Sequence, residues 1–323
     1  MKHNIKITIL LVMMFVITQL IGLYVINSNV FNQAAEINGA VVPITNPILE
    51  TLQPPQIQQQ SDFSLYFGSL VFAFVIAIVI LFLLTRFKID FILKAWFFIV
   101  VAIALFITIN AFFIKYINSF YFVAIASILA LGLAFIKIFR TNFIVHNVTE
   151  LLIYPGIATV FVPILNLWSV IVLLIIISIY DMWAVWHSGI MQKMAKYQIN
   201  NLKIFSGFFV PYIPKALRLK IKKMKKSKLK NKRVKVNLAI LGGGDIVFPI
   251  ITAGVILMTQ TVSLPFGLHP FVGGLIPALF VTAGATIGLT LLFLFSEKKK
   301  FYPAMPFITA GIFTGLILSY LLF

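Results

Sequence analysis

Two apolar stretches decide how this chain is read: Leu167–Trp186 (LWSVIVLLIIISIYDMWAVW) and Val236–Leu257 (VNLAILGGGDIVFPIITAGVIL). Each is about as long as a bilayer-crossing helix must be, roughly 20 residues at 1.5 Å rise, and each carries one aspartate, Asp181 or Asp245. An ionised carboxylate costs roughly 2.5–3.5 kcal/mol at the centre of an inserted helix, so such residues usually face protein or water and have a task. The chain has 8 acidic residues. Glu36, Glu50, Asp62, Asp90 and Glu297 fall in loops or at span ends, and Glu150 lies near the start of another apolar stretch. Around the two intramembrane acids stand Tyr180-Asp181 and Gly242-Gly243-Gly244-Asp245.

Working outward, the 323 residues are 61% hydrophobic with a mean hydropathy of +1.06, which places the chain among polytopic, multi-pass membrane proteins. Net charge is +18, but the basic residues concentrate between Lys193 and Lys235. In a membrane protein such a run reads as a cytoplasmic loop meeting lipid headgroups, so nucleic acid is not expected as a partner. Cysteine is absent, which excludes disulfides and thiolate catalysis. His3, His146, His187 and His269 are scattered and form no H-E-x-x-H, so neither a metal nor another cofactor is expected. Met1-Lys2-His3 before Ile5–Ile26 resembles a signal peptide, but the apolar run is too long and reads as a retained first helix.

Hydropathy gives an all-α fold of about nine transmembrane helices: Ile5–Ile26, Leu65–Leu84, Phe91–Phe113, Phe120–Ile138, Ile144–Val162, Leu167–Trp186, Val236–Leu257, Phe271–Phe295 and Pro303–Leu322. Lysine and arginine concentrate in alternate loops (Lys2 and Lys6; Arg86, Lys88 and Lys94; Lys137 and Arg140; Lys298-Lys299-Lys300), with Lys115 the main exception. The N-terminus is therefore expected in the cytoplasm and the C-terminus outside. The chain divides into an N-terminal unit (1–163, with an external loop 27–62), a central pair of spans (164–258, with the basic loop 188–235) and a C-terminal pair (259–323). The Gln-, Asn- and Pro-rich Asn27–Ser61 has no helical period and reads as a mobile loop. Ile204–Val210, short and followed by Pro211 and Pro214, reads as an interfacial segment.

Topology tests whether the two aspartates belong together. The sixth span runs inward and the seventh outward, and both carboxylates fall on the order of 10 Å below the cytoplasmic interface at 1.5 Å per residue. Equal depth on neighbouring antiparallel spans suits a carboxylate pair, in which one member keeps its proton and the pair offers an acid and a base in one place. Such a pair can activate water against a carbonyl and support the departing amine. Gly242, Gly243 and Gly244 allow close approach or loosened backbone beside Asp245, and Pro249 should kink this span.

At these residues the chain resembles the presenilin and signal peptide peptidase family of intramembrane aspartyl proteases, its archaeal members especially. Three motifs carry the resemblance. Tyr180-Asp181, continuing as Met182-Trp183-Ala184-Val185, matches the first, and Gly242-Gly243-Gly244-Asp245 within Leu241–Phe248 matches the second. The third, Pro-Ala-Leu before the last span, is matched by Pro303-Ala304-Met305, with methionine for leucine; a literal Pro277-Ala278-Leu279 lies inside the eighth span. The resemblance implies an aspartic endopeptidase of the GxGD type in the cell membrane, with Asp181 and Asp245 catalytic. Tyr180 and Gly242–Gly244 would form the active-site motifs, and Pro303, Ala304 and Met305 would shape substrate binding. In the family, the Pro-Ala-Leu region and the segment before the seventh span (here Lys232–Val236) hold unwound substrate as an added strand. Implied partners are single-span transmembrane proteins or peptides and the surrounding lipids, and a homo-oligomer is compatible with this reading.

A second class would also use two buried acids: an ion- or proton-coupled transporter, or a cation channel. Transporters often carry repeated halves, and none is visible here. Prepilin peptidases share Gly-x-Gly-Asp but continue with lysine two residues later, where this chain has Val247. Tyr180 is expected to pack beside Asp181 or to bring its hydroxyl near the pair. Asn110, Asn166 and Glu150 are expected to mediate helix packing or line a water path.

Overall fold

The sequence contains nine stretches apolar enough to seek a bilayer, and in the computed structural model each contributes a helix. The structure describes residues 5–37, 40–45, 49–55, 60–87, 90–113, 120–140, 142–188, 206–212, 237–259, 270–296 and 302–322. The helices are α1 (Ile5–Asn27), α2 (Gln60–Arg86), α3 (Asp90–Phe112), α4 (Phe120–Phe139), α5 (Phe143–Phe161), α6 (Leu167–Trp183), α7 (Gly244–Thr259), α8 (Pro270–Phe295) and α9 (Met305–Leu322). Eight of these elements are long and apolar enough to cross a membrane, and only α7 is shorter. Their outer faces carry large exposed hydrophobics such as Phe91, Trp96, Ile128 and Ile179, the side chains that meet acyl tails.

The principal core joins α1, α5, α6, α7, α8 and α9 through residues including Phe15, Tyr154, Leu174, Ile250, Val281 and Ile308. Helix α7 is the most enclosed, with every residue from Pro249 to Ile256 buried. A second cluster binds α3 and α4 to Ile153 of α5. Over Asp62–Ile80 helix α2 buries nothing. Helices α8 and α9 cross backbone to backbone. The space a Cβ would need at Gly284 is taken by the carbonyl of Gly311, and at Gly288 by that of Phe307. Without a hydrophobic drive between helices in lipid, such glycines let dispersion hold a pair together.

Three expectations are corrected. The stretch Val236–Leu257 is not one helix: Asn237–Gly242 is a strand, β4, and helix begins only at Gly244. Three glycines in a row offer no side chains to stabilise a helical turn, so the chain changes conformation there. The expected interfacial segment Ile204–Val210 instead supplies most of β3 (Gly207–Tyr212), antiparallel to β4 with Gly207 opposite Gly242 and Tyr212 opposite Asn237. Its Phe208 is buried against Tyr154, ring to ring at 6.1 Å. The expected loop Asn27–Ser61 carries a hairpin, β1 (Asn32–Ile37) with β2 (Ala40–Thr45), and a 3-10 turn at Glu50–Leu52. Asn38-Gly39, a common hairpin dipeptide, stands between these strands in the sequence. The basic run before β4, including Lys232–Val236, lies outside the described residues.

Candidate active site

Asp181 sits in the last turn of α6. Asn166 starts this helix, its side chain accepting from Ser169 N at 2.8 Å, a cap of the kind worth about 1 kcal/mol. The helix then loosens into a π turn over Ala184–Ser188. Asp181 is buried, at 6% exposure, and its Oδ2 accepts a hydrogen bond from the backbone amide of Met305 at 3.0 Å. Met305 is the first residue of α9, where amides have no partner within the helix. The following Pro306 has no N–H to satisfy. Pro303-Ala304-Met305 thus bends the chain so that the start of α9 is capped by the acid of another helix. One turn along, Ser178 Oγ and Thr309 Oγ1 meet at 2.8 Å, also buried.

Asp245 stands in the first turn of α7 and is partly exposed. It lies near enough to Asp181 for the two charges to act on each other, and the backbone amide of Gly242 faces its carboxyl group. The three glycines differ in what surrounds them. A Cβ at Gly242 would lie 3.2 Å from Asp245 Oδ2, and one at Gly243 would meet Ser206 Oγ at 2.7 Å and Tyr154 Oη at 2.8 Å. At Gly244 the nearest atom is Phe248 Cε2 at 3.6 Å, an ordinary contact. The carbonyl of Gly243 receives the first helical amides, from Ile246 at 3.2 Å and Val247 at 3.0 Å. Pro249 offers no amide to the carbonyl of Asp245. From α1, Gln19 Nε2 donates to Ile246 O at 3.0 Å, while Gln19 Oε1 is buried and has no partner among the described residues.

The sheet aims this loop. Gly243 N donates to Ser206 O at 3.3 Å, which sets the alternation of the ladder: in an antiparallel pair, backbone groups of successive residues point to opposite sides. Phe208 and Val210 therefore bond toward β4, and Gly207 and Phe209 point away from it. On β4, Leu238, Ile240 and Gly242 turn their backbone groups to the far edge, where no third strand stands among the described residues. That edge ends at Asp245.

Of the residues anticipated from sequence, Asp181, Asp245, Gly242, Ala304 and Met305 gather here. Tyr180 does not: it is 47% exposed and its ring lies 6.3 Å from that of Trp183. Pro277-Ala278-Leu279 is interior to α8. Asn166 is a helix cap, and Asn110 bonds Phe106 O of its own helix at 2.7 Å. Sequence reasoning missed Gln19, Ser178 and Thr309, and it counted Lys137 among the cytoplasmic loop lysines. Lys137 is buried and paired with Glu150, with His146 Nε2 3.6 Å from the same carboxylate. The available signal was a polar side chain within an apolar span, which marks a buried partner without naming it. Among the described residues no cluster of ligands could hold a metal ion.

A family model described as signal-peptide peptidase, presenilin aspartyl protease matches residues 30–323. No curated protein matches. Among solved structures, a presenilin family intramembrane aspartate protease is similar in two crystal forms. In the C222 form the TM-score is 0.59 at 15% identity, covering 98% of this chain and 99% of that one. In the P2 form it is 0.55 at 16% identity, covering 97% of each. At such identities the likeness speaks for the fold.

Proposed function

Because this chain belongs to the signal-peptide peptidase and presenilin family of aspartyl proteases, we propose that it hydrolyses peptide bonds within transmembrane helices, with Asp181 and Asp245 as paired acid and base. The observation that carries this reading is β4, whose far edge has no strand partner among the described residues and which leads toward Asp245, with Asp181 of α6 close enough to act on that carboxyl group. A helical substrate hides its carbonyls in hydrogen bonds and must unwind before attack. The outward backbone groups of Leu238 and Ile240, with the carbonyl of Gly242, offer an unwound segment replacement bonds, so a strand laid there brings its carbonyls past the carboxyl pair.

In the chemical step one carboxylate takes a proton from water as the water oxygen bonds to the carbonyl carbon, and the other carboxyl group protonates the carbonyl oxygen. The resulting gem-diol collapses as a proton passes to nitrogen and the C–N bond breaks. Pro303, Ala304 and Met305 act by fixing the Asp181 carboxylate and bounding the substrate strand. The lysine-rich loops facing the cytoplasm would give substrates whose N-terminus lies outside. The family match lends no support to the transporter alternative. The test is cleavage of a single-span peptide in detergent or liposomes by the protein, by Asp181→Ala and by Asp245→Ala. Cutting by the unaltered protein alone is expected, and cutting that persists in either variant overturns the paired mechanism.

A further inference from the structure

Strand β3 is held on both edges, on one side by β4 and on the other by side chains of α5. Asn147 makes a two-point contact with one residue of the strand: Nδ2 donates to Phe209 O at 2.9 Å, and Oδ1 accepts from Phe209 N at 3.1 Å. The neighbouring His146 donates from Nε2 to Gly207 O at 2.9 Å, two residues along the same edge, and its ring lies 4.5 Å from that of Phe209. These are the outward-pointing backbone groups that the ladder leaves free, so the amide of Asn147 takes the place of a third strand. Next along this edge comes Pro211, which has no amide to satisfy.

The histidine is itself fixed from behind. Lys137 Nζ of α4 lies 3.4 Å from His146 Nδ1 and pairs with Glu150, one turn below the histidine on α5. A lysine donates, so Nδ1 accepts and Nε2 carries the proton given to Gly207 O. Lys137, His146 and Glu150 are all buried. A buried ion pair is expensive to assemble and weak as a source of stability, whereas its fixed geometry can specify one arrangement. Here the arrangement specified is the height of β3 on α5. Gly207 stands opposite Gly242 and Phe209 opposite Ile240, so that height is passed directly to the strand that leads to Asp245.

We propose that Asn147 and His146, the latter braced by Lys137 and Glu150, are positioning residues that set the register of β3 and β4 and hence which peptide bond meets the carboxyl pair. The inference rests on the protease reading for its link to cleavage, while the clamp itself can be read without any substrate. Two measurements on the full-length protein keep them apart. The first is hydrogen exchange of the 206–212 and 237–243 peptides, resolved by mass spectrometry. The second is the distribution of cleavage positions in a single-span peptide, with kcat and KM.

Asn147→Leu and His146→Leu are expected to raise exchange in both strands. They should spread cleavage from one dominant bond to several and lower kcat by about ten- to a hundredfold, the cost of an ångström-scale misplacement, with KM changed by less than about threefold. His146→Gln, which retains a donor near the Nε2 position, should keep the cleavage position and the exchange of the unaltered protein. Unchanged exchange and an unchanged single cleavage position in the two leucine variants overturn the proposal. If both leucine variants fail to fold, His146→Gln and Asn147→Asp decide. The aspartate keeps the acceptor for Phe209 N but sets a lone pair against Phe209 O, and behaviour like the unaltered protein would overturn the clamp. A protein that cuts nothing while the leucine variants loosen both strands refutes the protease reading and leaves the clamp standing.

Discussion

The amide of Met305 and the carboxylate of Asp181 are joined at 3.0 Å across the α6–α9 interface, so the start of the last helix is capped by a residue of the proposed catalytic pair. Oδ2 of Asp181 is occupied by this bond, and the backbone amide of Ala304 also faces the carboxylate. A point of packing and a point of chemistry therefore coincide, and changes to either helix reach the reacting atoms.

Because the donor is a backbone amide, proline at 305 is the substitution that removes it. Proline is well tolerated in a first helical turn, so Met305→Pro should leave α9 formed and lower kcat by roughly a hundredfold, the scale of one lost positioning contact. Met305→Leu keeps the amide and nearly the same volume, and should retain activity within about threefold by the same reasoning. Peptide cleavage and circular dichroism distinguish the two outcomes; equal activity in both variants would remove Asp181–Met305 from the mechanism.

Ser178 and Thr309 supply the second contact of that interface, 2.8 Å apart and buried. Ser178→Ala leaves the threonine hydroxyl unpaired and should cost about 1–3 kcal/mol. The Ser178→Ala/Thr309→Val double variant should recover part of this loss, a coupling readable in a double-mutant cycle of unfolding in detergent.

The three glycines before Asp245 should rank by the room around them. Gly244→Ala has ordinary space and should keep activity within about threefold. Gly242→Ala places a methyl group 3.2 Å from Asp245 Oδ2 and should lower kcat about a hundredfold in a folded protein. Gly243→Ala, pressed against Ser206 and Tyr154, should lower stability itself by about 1–3 kcal/mol. Thermal unfolding read beside kcat separates the last two effects.

For Lys137 and Glu150, loss of one partner strands the other. Glu150→Leu alone should destabilise by about 3–5 kcal/mol, and Lys137→Met/Glu150→Leu should regain most of it. Equal stability of the single and double variants would show that the pair is not a coupled unit.

At the α8–α9 crossing, Gly311→Leu drives a side chain into the Gly284 backbone. Overpacking of this kind costs about 1–3 kcal/mol or more. Displacement of α9 also carries Met305 away from Asp181, so activity should fall further than the unfolding temperature alone suggests.

Hydropathy located every long helix among the described residues because burial in lipid is a local, composition-driven property that a window of residues records. It failed at Asn237–Gly242 because the strand there is as apolar as a helix end. What separates the two is a partner strand distant in sequence, contributed by Gly207–Tyr212. Lys137 was misread for a similar reason. A lysine near a span end satisfies the charge rule for headgroups equally well whether it snorkels outward or turns inward to an acid on the next helix.

By itself the sequence determined the membrane class and the apolar helices of the described residues, and it singled out two of 8 acids as candidates, because transfer energies belong to individual residues and sum along the chain. Only the tertiary structure decided that Asp181 caps the helix beginning at Met305, that Tyr180 turns outward, and that α5 clasps the strand leading to Asp245. Those outcomes depend on hydrogen bonds a few ångströms long between helices separated by many residues of chain. Such bonds have direction and partner, and neither is written in hydropathy.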